Sequence, residues 1–288
     1  QPDRPQGRKQ ELIPSLIKQS ALRRNLPVFQ PESVNAADSL EQVREWKPDL
    51  LVTAAYGQIL SADLLTIPRL GGINLHGSIL PAYRGAAPVA RAIQNGEAES
   101  GVTVIRMTPQ IDAGGMIAFA KTKIDENETA GELEERLAIL GAPLIVESIA
   151  AIVAGTAQVI PQDKSKVTRA PKLRKEDGQI DWSQSAPAVH NLVRAMQPWP
   201  MASTSWQPRE GSSPGLPRVI IHRTRLLPPS AGESHPPGTI LEARDDQLVV
   251  ATGEGSLQVE LVQVPGKKPM PAAEFLRGNR VARGDRFA

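Results

Sequence analysis

Apolar positions switch along the chain between helical and strand spacing. Leu16, Ile17 and Leu22 form a helical stripe behind Ser15, a capping residue, so a helix is expected from Ser15 to about Asn25. Pro27-Val28-Phe29 reads as a short strand. A second helix is expected over Ala37 to Trp46, stopped by Lys47-Pro48. Asp49 to Tyr56, DLLVTAAY, is a continuous apolar run, the pattern of a strand buried on both faces. Strands follow at Gly72 to His76, Gly101 to Met107 and Met116 to Thr122, with a helix at Ala87 to Asn95. Thr129 and Glu132 make a capping box for a helix to about Leu140, which Gly141 and Pro143 should interrupt before it resumes to Ala154. This alternation argues for an open α/β sheet over residues 1–157.

The texture changes after Gly155. Residues 158–178 are polar and Lys-rich, a linker pattern, and residues 179–288 form the remainder. After a helix at Ala186 to Met196, five short apolar runs fall near 201–206, 218–226, 238–243, 247–252 and 257–264. Gly, Pro and Asp clusters separate them, which predicts a small antiparallel barrel of the oligonucleotide-binding kind, with a sandwich left open by the pattern alone.

Composition narrows the chemistry. The 288 residues include no Cys, which excludes disulfides, thiolate nucleophiles and Cys-ligated metal clusters. Four histidines (His76, His190, His222, His235) are widely spaced without an HxxxH pair, so no metal is expected. No unbroken apolar run of about 18 residues occurs, so no bilayer-spanning helix is expected. No apolar core follows the first charges, so a secretory signal is not expected either. The net charge of +2 conceals a split. Residues 1–30 carry six Lys/Arg against two acids, residues 31–159 nine against sixteen, and residues 160–288 eighteen against thirteen. Two basic ends around an acidic middle suit a polyanion held at both ends, although ordinary solvated faces give the same counts.

The segment GGINLHGSILPAYRGAAP, Gly71 to Pro88, carries the chemistry. Side chains in a strand alternate, so Ile73 and Leu75 face one way and Asn74 and His76 the other. An amide and an imidazole thus sit at the carboxyl end of a strand, where open α/β sheets bind ligands. A histidine satisfied by a backbone carbonyl is the plain alternative. The turn IDAGG adds Asp112, which is equally an Asx-turn former, and glycines that let backbone approach a ligand. A neutral donor, a titratable ring and a carboxylate suit acyl transfer through a tetrahedral intermediate. With no GxSxG nucleophile elbow, direct transfer is expected, and with no GxGxxG a nicotinamide enzyme is not.

Ten separated blocks carry a resemblance: QPDRPQGR (1–8), PVFQP (27–31), AAYGQIL (54–60), INLHGSILPAYRGAAPVARAI (73–93), GVTVIRM (101–107), IDAGG (111–115), IDWSQSA (180–186), QPWPMAS (197–203), PGTIL (237–241) and PGKKPM (265–270). The sequence resembles the methionyl-tRNA formyltransferases, a branch of the folate-dependent formyltransferase family. The resemblance implies a Rossmann-like catalytic domain, a linker and a barrel, with 10-formyltetrahydrofolate and initiator methionyl-tRNA as substrates. It places catalysis on Asn74, His76 and Asp112, and folate along Ser78, Ile79, Leu80, Pro81, Tyr83, Arg84 and Gly114. Arg4, Arg8 and Lys9 would meet the tRNA acceptor end, with Lys267 and Lys268 as weaker phosphate contacts. It further implies a cytoplasmic monomer that uses neither metal nor membrane.

The chain departs from that family pattern in three places. It begins where the family has already made a strand, a helix and a second strand, a loss expected to expose sheet edge and apolar surface. GRKQELIPSL stands where the family has a denser basic run, and Ala113 replaces the Thr of a DTG turn. Two other readings stay open: a folate-dependent transferase or hydrolase acting on a small molecule, and an inactive tRNA-binding remnant.

Overall fold

The computed structural model describes residues 1–6, 11–209, 215–228 and 235–288. The chain forms two compact units: residues 1–76, 103–118 and 144–162, and residues 77–102, 119–143 and 163–288. The first holds the antiparallel pair β1 (Arg4–Gln6) and β2 (Glu11–Ile13), then α1 (Leu16–Arg23) and α2 (Ala37–Trp46). Strand β3 (Leu51–Ala54), helix α3 (Ala62–Thr66) and strand β4 (Gly72–His76) follow. In the second unit come β5 (Arg84–Gly85) and α4 (Pro88–Gln94). Strands β6 (Glu99–Arg106) and β7 (Met116–Lys123) and helix α5 (Ala130–Val153) each contribute residues to both units.

The sheet order is β3-β4-β6-β7, with β3 parallel and β6 antiparallel to β4. Ile73 and Val104 are wholly buried and pack with Ile152, and Leu75, Ile145 and Ile149 complete that core. Each such burial stabilises by about 1.5–3 kcal/mol. A second core joins Val34, Leu40, Val43, Leu60 and Leu64, with Leu51 and Tyr56 against it. The Ser15 hydroxyl accepts the Lys18 N–H, as its capping pattern predicts.

Four expectations need correction. Pro27 to Phe29 forms no strand; Val28 and Phe29 are partly exposed, and Phe29 meets Trp46 edge-on at 6.0 Å. Strand β3 is shorter than the apolar run and is not buried on both faces: half-buried Leu51 and Thr53 alternate with exposed Val52 and Ala54, so one face of the strand is left uncovered. Pro143 does not interrupt α5, which runs unbroken for 24 residues. A proline removes one intrahelical N–H, and packing of Leu133, Leu137 and Ile152 on either side outweighs that loss. By length and composition α5 is also apolar enough to cross a bilayer, although Glu147 breaks its apolar run, so an unbroken run is too strict a criterion for expecting no such helix.

The second unit contains β8 (Arg169–Ala170), α6 (Ala186–Ala195), β9 (Ser203–Gln207), β10 (Leu216–Leu226), β11 (Ile240–Arg244), β12 (Gln247–Ala251) and β13 (Ser256–Gln263). It ends in β14 (Met270–Pro271), α7 (Ala272–Gly278) and β15 (Arg286–Phe287). The antiparallel order is β11-β12-β13-β10-β9-β15, with β14 beside β13. A bridge between Thr239 and Arg286 brings the two edges together, so the sheet nearly closes into a barrel. Trp182 of the IDW segment stacks on Phe287 at 5.7 Å and gives its indole N–H to Thr204. His190 on α6 contacts Thr224 and the Glu126 carbonyl; burial pushes its pKa down and keeps the ring neutral.

Asp285 locks the closure. One of its oxygens accepts the Arg209 N–H; the other accepts the Trp206 indole N–H and the Ala282 N–H. Asp285→Ala strands these donors in a site only 1% exposed. It should lower stability by about 3 kcal/mol in denaturant unfolding. A loss under about 0.5 kcal/mol, the level of an ordinary surface substitution, would show that the barrel closes without this carboxylate.

Candidate active site

All three residues of the expected centre lie in the first unit. Burial of Ile73 and Leu75 on one face of β4 turns Asn74 and His76 to the other. Parallel pairing sets Thr53 of β3 beside Asn74, and the Thr53 hydroxyl donates to the Asn74 Oδ1 across 2.8 Å. His76 ends the strand and is 5% exposed. Its Nδ1 lies 3.5 Å from the Asp112 Oδ2, ion-pair distance for a protonated ring. The Asp112 carboxylate therefore faces His76.

Asp112 sits in the turn between β6 and β7 at φ 49°, a left-handed conformation that Asp tolerates better than most residues. Gln162 holds that turn: its Nε2 donates to the carbonyls of Asp112 at 2.8 Å and Gly114 at 2.7 Å. The close approach expected of Gly114 is to the protein itself, since a Cβ there would stand 1.8 Å from the Arg106 carbonyl oxygen. Neither Thr53 nor Gln162 was anticipated. A lone Thr within LLVTA was the one available signal for the first; the polar linker hid the second.

The loop after His76 belongs to the second unit. The Ser78 hydroxyl donates to the Ala82 carbonyl at 2.6 Å, and Leu80 is buried before a cis Pro81. Tyr83 takes φ 62°, and its N–H donates to the Thr168 hydroxyl. Its phenol donates to Glu97 at 2.6 Å; burial first, and this carboxylate second, push its pKa up to about 12. Arg84 and Gly85 pair in parallel with Arg169 and Ala170, so the linker braces the loop. Ile79 and Arg84 are half-buried.

The basic residues are spread over the chain. Arg8 and Lys9 lie outside the described residues. Arg4 is exposed in β1, where the QPDRP and PVFQP blocks meet: Gln30 donates to the Gln1 carbonyl and to Asp3. Asp3 also pairs with Lys18 at 2.5 Å, and Gln30 first, then Lys18, lowers its pKa. Lys267 and Lys268 are exposed in the barrel turn before β14. Among the described residues no cluster of three metal-ligating side chains occurs.

Residues 1–149 match the formyl transferase family and residues 172–280 its C-terminal domain. The chain belongs to the formyl transferase family. It is 43% identical over 286 residues to the methionyl-tRNA formyltransferase of Moorella thermoacetica, covering 99% of this chain and 88% of that protein. It is 39% identical over 279 residues to the enzyme of the same name from Staphylococcus aureus strain MW2, covering 96% of this chain and 86% of that protein. Among solved structures, a Helicobacter canadensis N-formyltransferase bound to folinic acid and dTDP-3-aminofucose superposes with a TM-score of 0.64 at 19% identity. That match covers 86% of this chain and 84% of the other. HypX of Aquifex aeolicus with tetrahydrofolic acid gives 0.58 at 20% identity over 82% of this chain; the chain spans 40% of HypX. At these identities the two structures share the formyl transferase fold.

The geometry of the turn gives a direct test. Gly114→Ala must displace the Arg106 carbonyl or the turn carrying Asp112. It should cost about 2 kcal/mol or more in unfolding experiments. Unchanged stability would show that this close backbone approach is not a constraint on the folded protein.

Proposed function

We propose that this protein transfers a formyl group from 10-formyltetrahydrofolate to the α-amine of methionine on initiator methionyl-tRNA. The observation that carries the reading is the Asn74–His76–Asp112 constellation in a chain similar end to end to enzymes of that name. The amine attacks the formyl carbon, whose oxygen gains negative charge. Thr53 occupies the Asn74 Oδ1, so the amide N–H groups of Asn74 are the end available to that oxygen. His76 moves a proton at the centre, and Asp112, facing its Nδ1, holds the ring. The C–N bond to folate breaks as the new amide forms, and the folate nitrogen takes the proton that the amine loses.

Folate along Ser78, Ile79, Leu80, Pro81, Tyr83, Arg84 and Gly114 is part of the same proposal. Its physical support is the bracing of the Ser78–Arg84 loop by residues 168–170. Tyr83 is held by Glu97 and Asn95. The basic segment with Arg4, Arg8 and Lys9 supplies charge for the tRNA acceptor end, and Lys267 and Lys268 for a more distant phosphate. The function as proposed needs neither metal nor membrane and places the protein, as a monomer, with translation in the cytoplasm. We assign catalysis and tRNA binding to residues 1–157 and 179–288, with 158–178 between them.

Asn74→Ala and His76→Ala should each reduce formylation by about 100-fold or more with little change in unfolding. Asp112→Asn should cut turnover while methionyl-tRNA affinity stays near that of the parent. Near-normal turnover in the first two would sink the assignment, and parallel loss of affinity and rate in the third would make Asp112 structural. Supplying an amino sugar nucleotide as a competing acceptor separates the small-molecule reading.

Arg8→Ala should weaken tRNA binding and reduce the slope of log affinity against log salt by about 1, since one fewer counterion is released. Affinities at several salt concentrations read this directly. An unchanged slope would mean that this residue does not touch phosphate.

A further inference from the structure

We infer that Thr53 is a positioning residue for the transfer, because its hydroxyl selects the end of the Asn74 amide that meets the reacting oxygen. The inference rests on the formyl transfer proposed above. A carboxamide has one accepting and one donating end of nearly identical shape. Catalysis at a developing oxyanion needs the donating end; the opposite orientation would aim a carbonyl dipole at negative charge. Nothing within the Asn74 side chain makes that choice, so a neighbour must.

Thr53 is placed to make it. It faces Asn74 directly in the parallel register of β3 and β4, and the two backbones fix the approach. Its Oγ1 lies 2.8 Å from the Asn74 Oδ1, the usual length of an O–H···O bond. Other acceptors near Oγ1, the Ile73 carbonyl oxygen and the Met107 Sδ, are both at 3.3 Å, so Oδ1 is the nearest receiver of the hydroxyl proton. Both side chains are half-buried, where water competes less well for the bond. The neighbouring inward residue of the strand, Leu51, packs into an apolar core instead. A hydroxyl among aliphatic side chains earns nothing from core packing at this position, yet it is aimed at the one amide in the centre.

The test compares Thr53→Val, which keeps the branched shape, with Thr53→Ala and Thr53→Ser in the full chain. Formylation kinetics with methionyl-tRNA and 10-formyltetrahydrofolate give kcat and KM, and thermal unfolding tracks stability. Thr53→Val and Thr53→Ala should each lower kcat about 10-fold, with both KM values within about twofold, and Thr53→Ser should return kcat to within about threefold of the parent. In an Asn74→Ala background Thr53→Val should have no further effect, because the group it orients is gone. Undiminished kcat in the folded Val or Ala variant overturns the inference, as does a Ser variant no better than Val, or an additive double variant. Should Asn74→Ala itself be active, the proposed function fails instead, so the two failures are told apart.

Discussion

The register of β4 is the constraint on which the centre depends. Ile73 is fully buried against Val104 and Ile152, and a strand that slipped by one residue would bring Asn74 into that core. Leaving an amide there without a partner costs more than the surrounding contacts return. Apolar packing on one face therefore determines that Asn74 and His76 emerge together on the other. The same register brings Thr53 alongside, through the parallel pairing with β3. The polar residues on one side of the sheet are thus held in place by the core on the opposite side.

Around that strand, each polar group of the centre is fixed from a different distance along the chain. Asn74 is held from 21 residues upstream, by Thr53. His76 faces Asp112, whose turn is held in turn by Gln162, 50 residues downstream of Asp112. Gly114 allows the turn to close on the Arg106 carbonyl. Such long-range supports suit the oxyanion site proposed above, where donors must be in place before charge develops.

Much of this was legible in the sequence. Helix α2, strand β4 and the Thr129–Glu132 box were readable because local signals and tertiary packing agree there. Five strands of the seven-stranded sheet, β9 to β13, were readable from turn residues at short intervals, while β14 and β15, two residues each, were too short to leave a pattern. The failures occur where the two levels conflict. Val28 and Phe29 have strand-like side chains but no strand beside them, and Pro143 lies in a helix whose flanking residues are buried. That Asn74 and His76 share a face follows from alternation alone, while the approach of Asp112 to His76 needed the family resemblance. Gln162 could not be found from pattern, since its role is two backbone carbonyls that are invisible in the sequence.

Closure of the barrel has a consequence for how the protein is made. Ser205 and Ala288 exchange backbone hydrogen bonds, and Phe287 reaches back to Gly238. The seam is therefore stitched from residues more than 80 positions apart in one case and about 50 in the other. During synthesis, β9 leaves the ribosome long before its partner exists, with Trp206 still lacking the Asp285 that will receive its indole N–H. The first unit, whose last residue is 162, is thus fully synthesised while the barrel seam still waits for residues 285–288 to emerge.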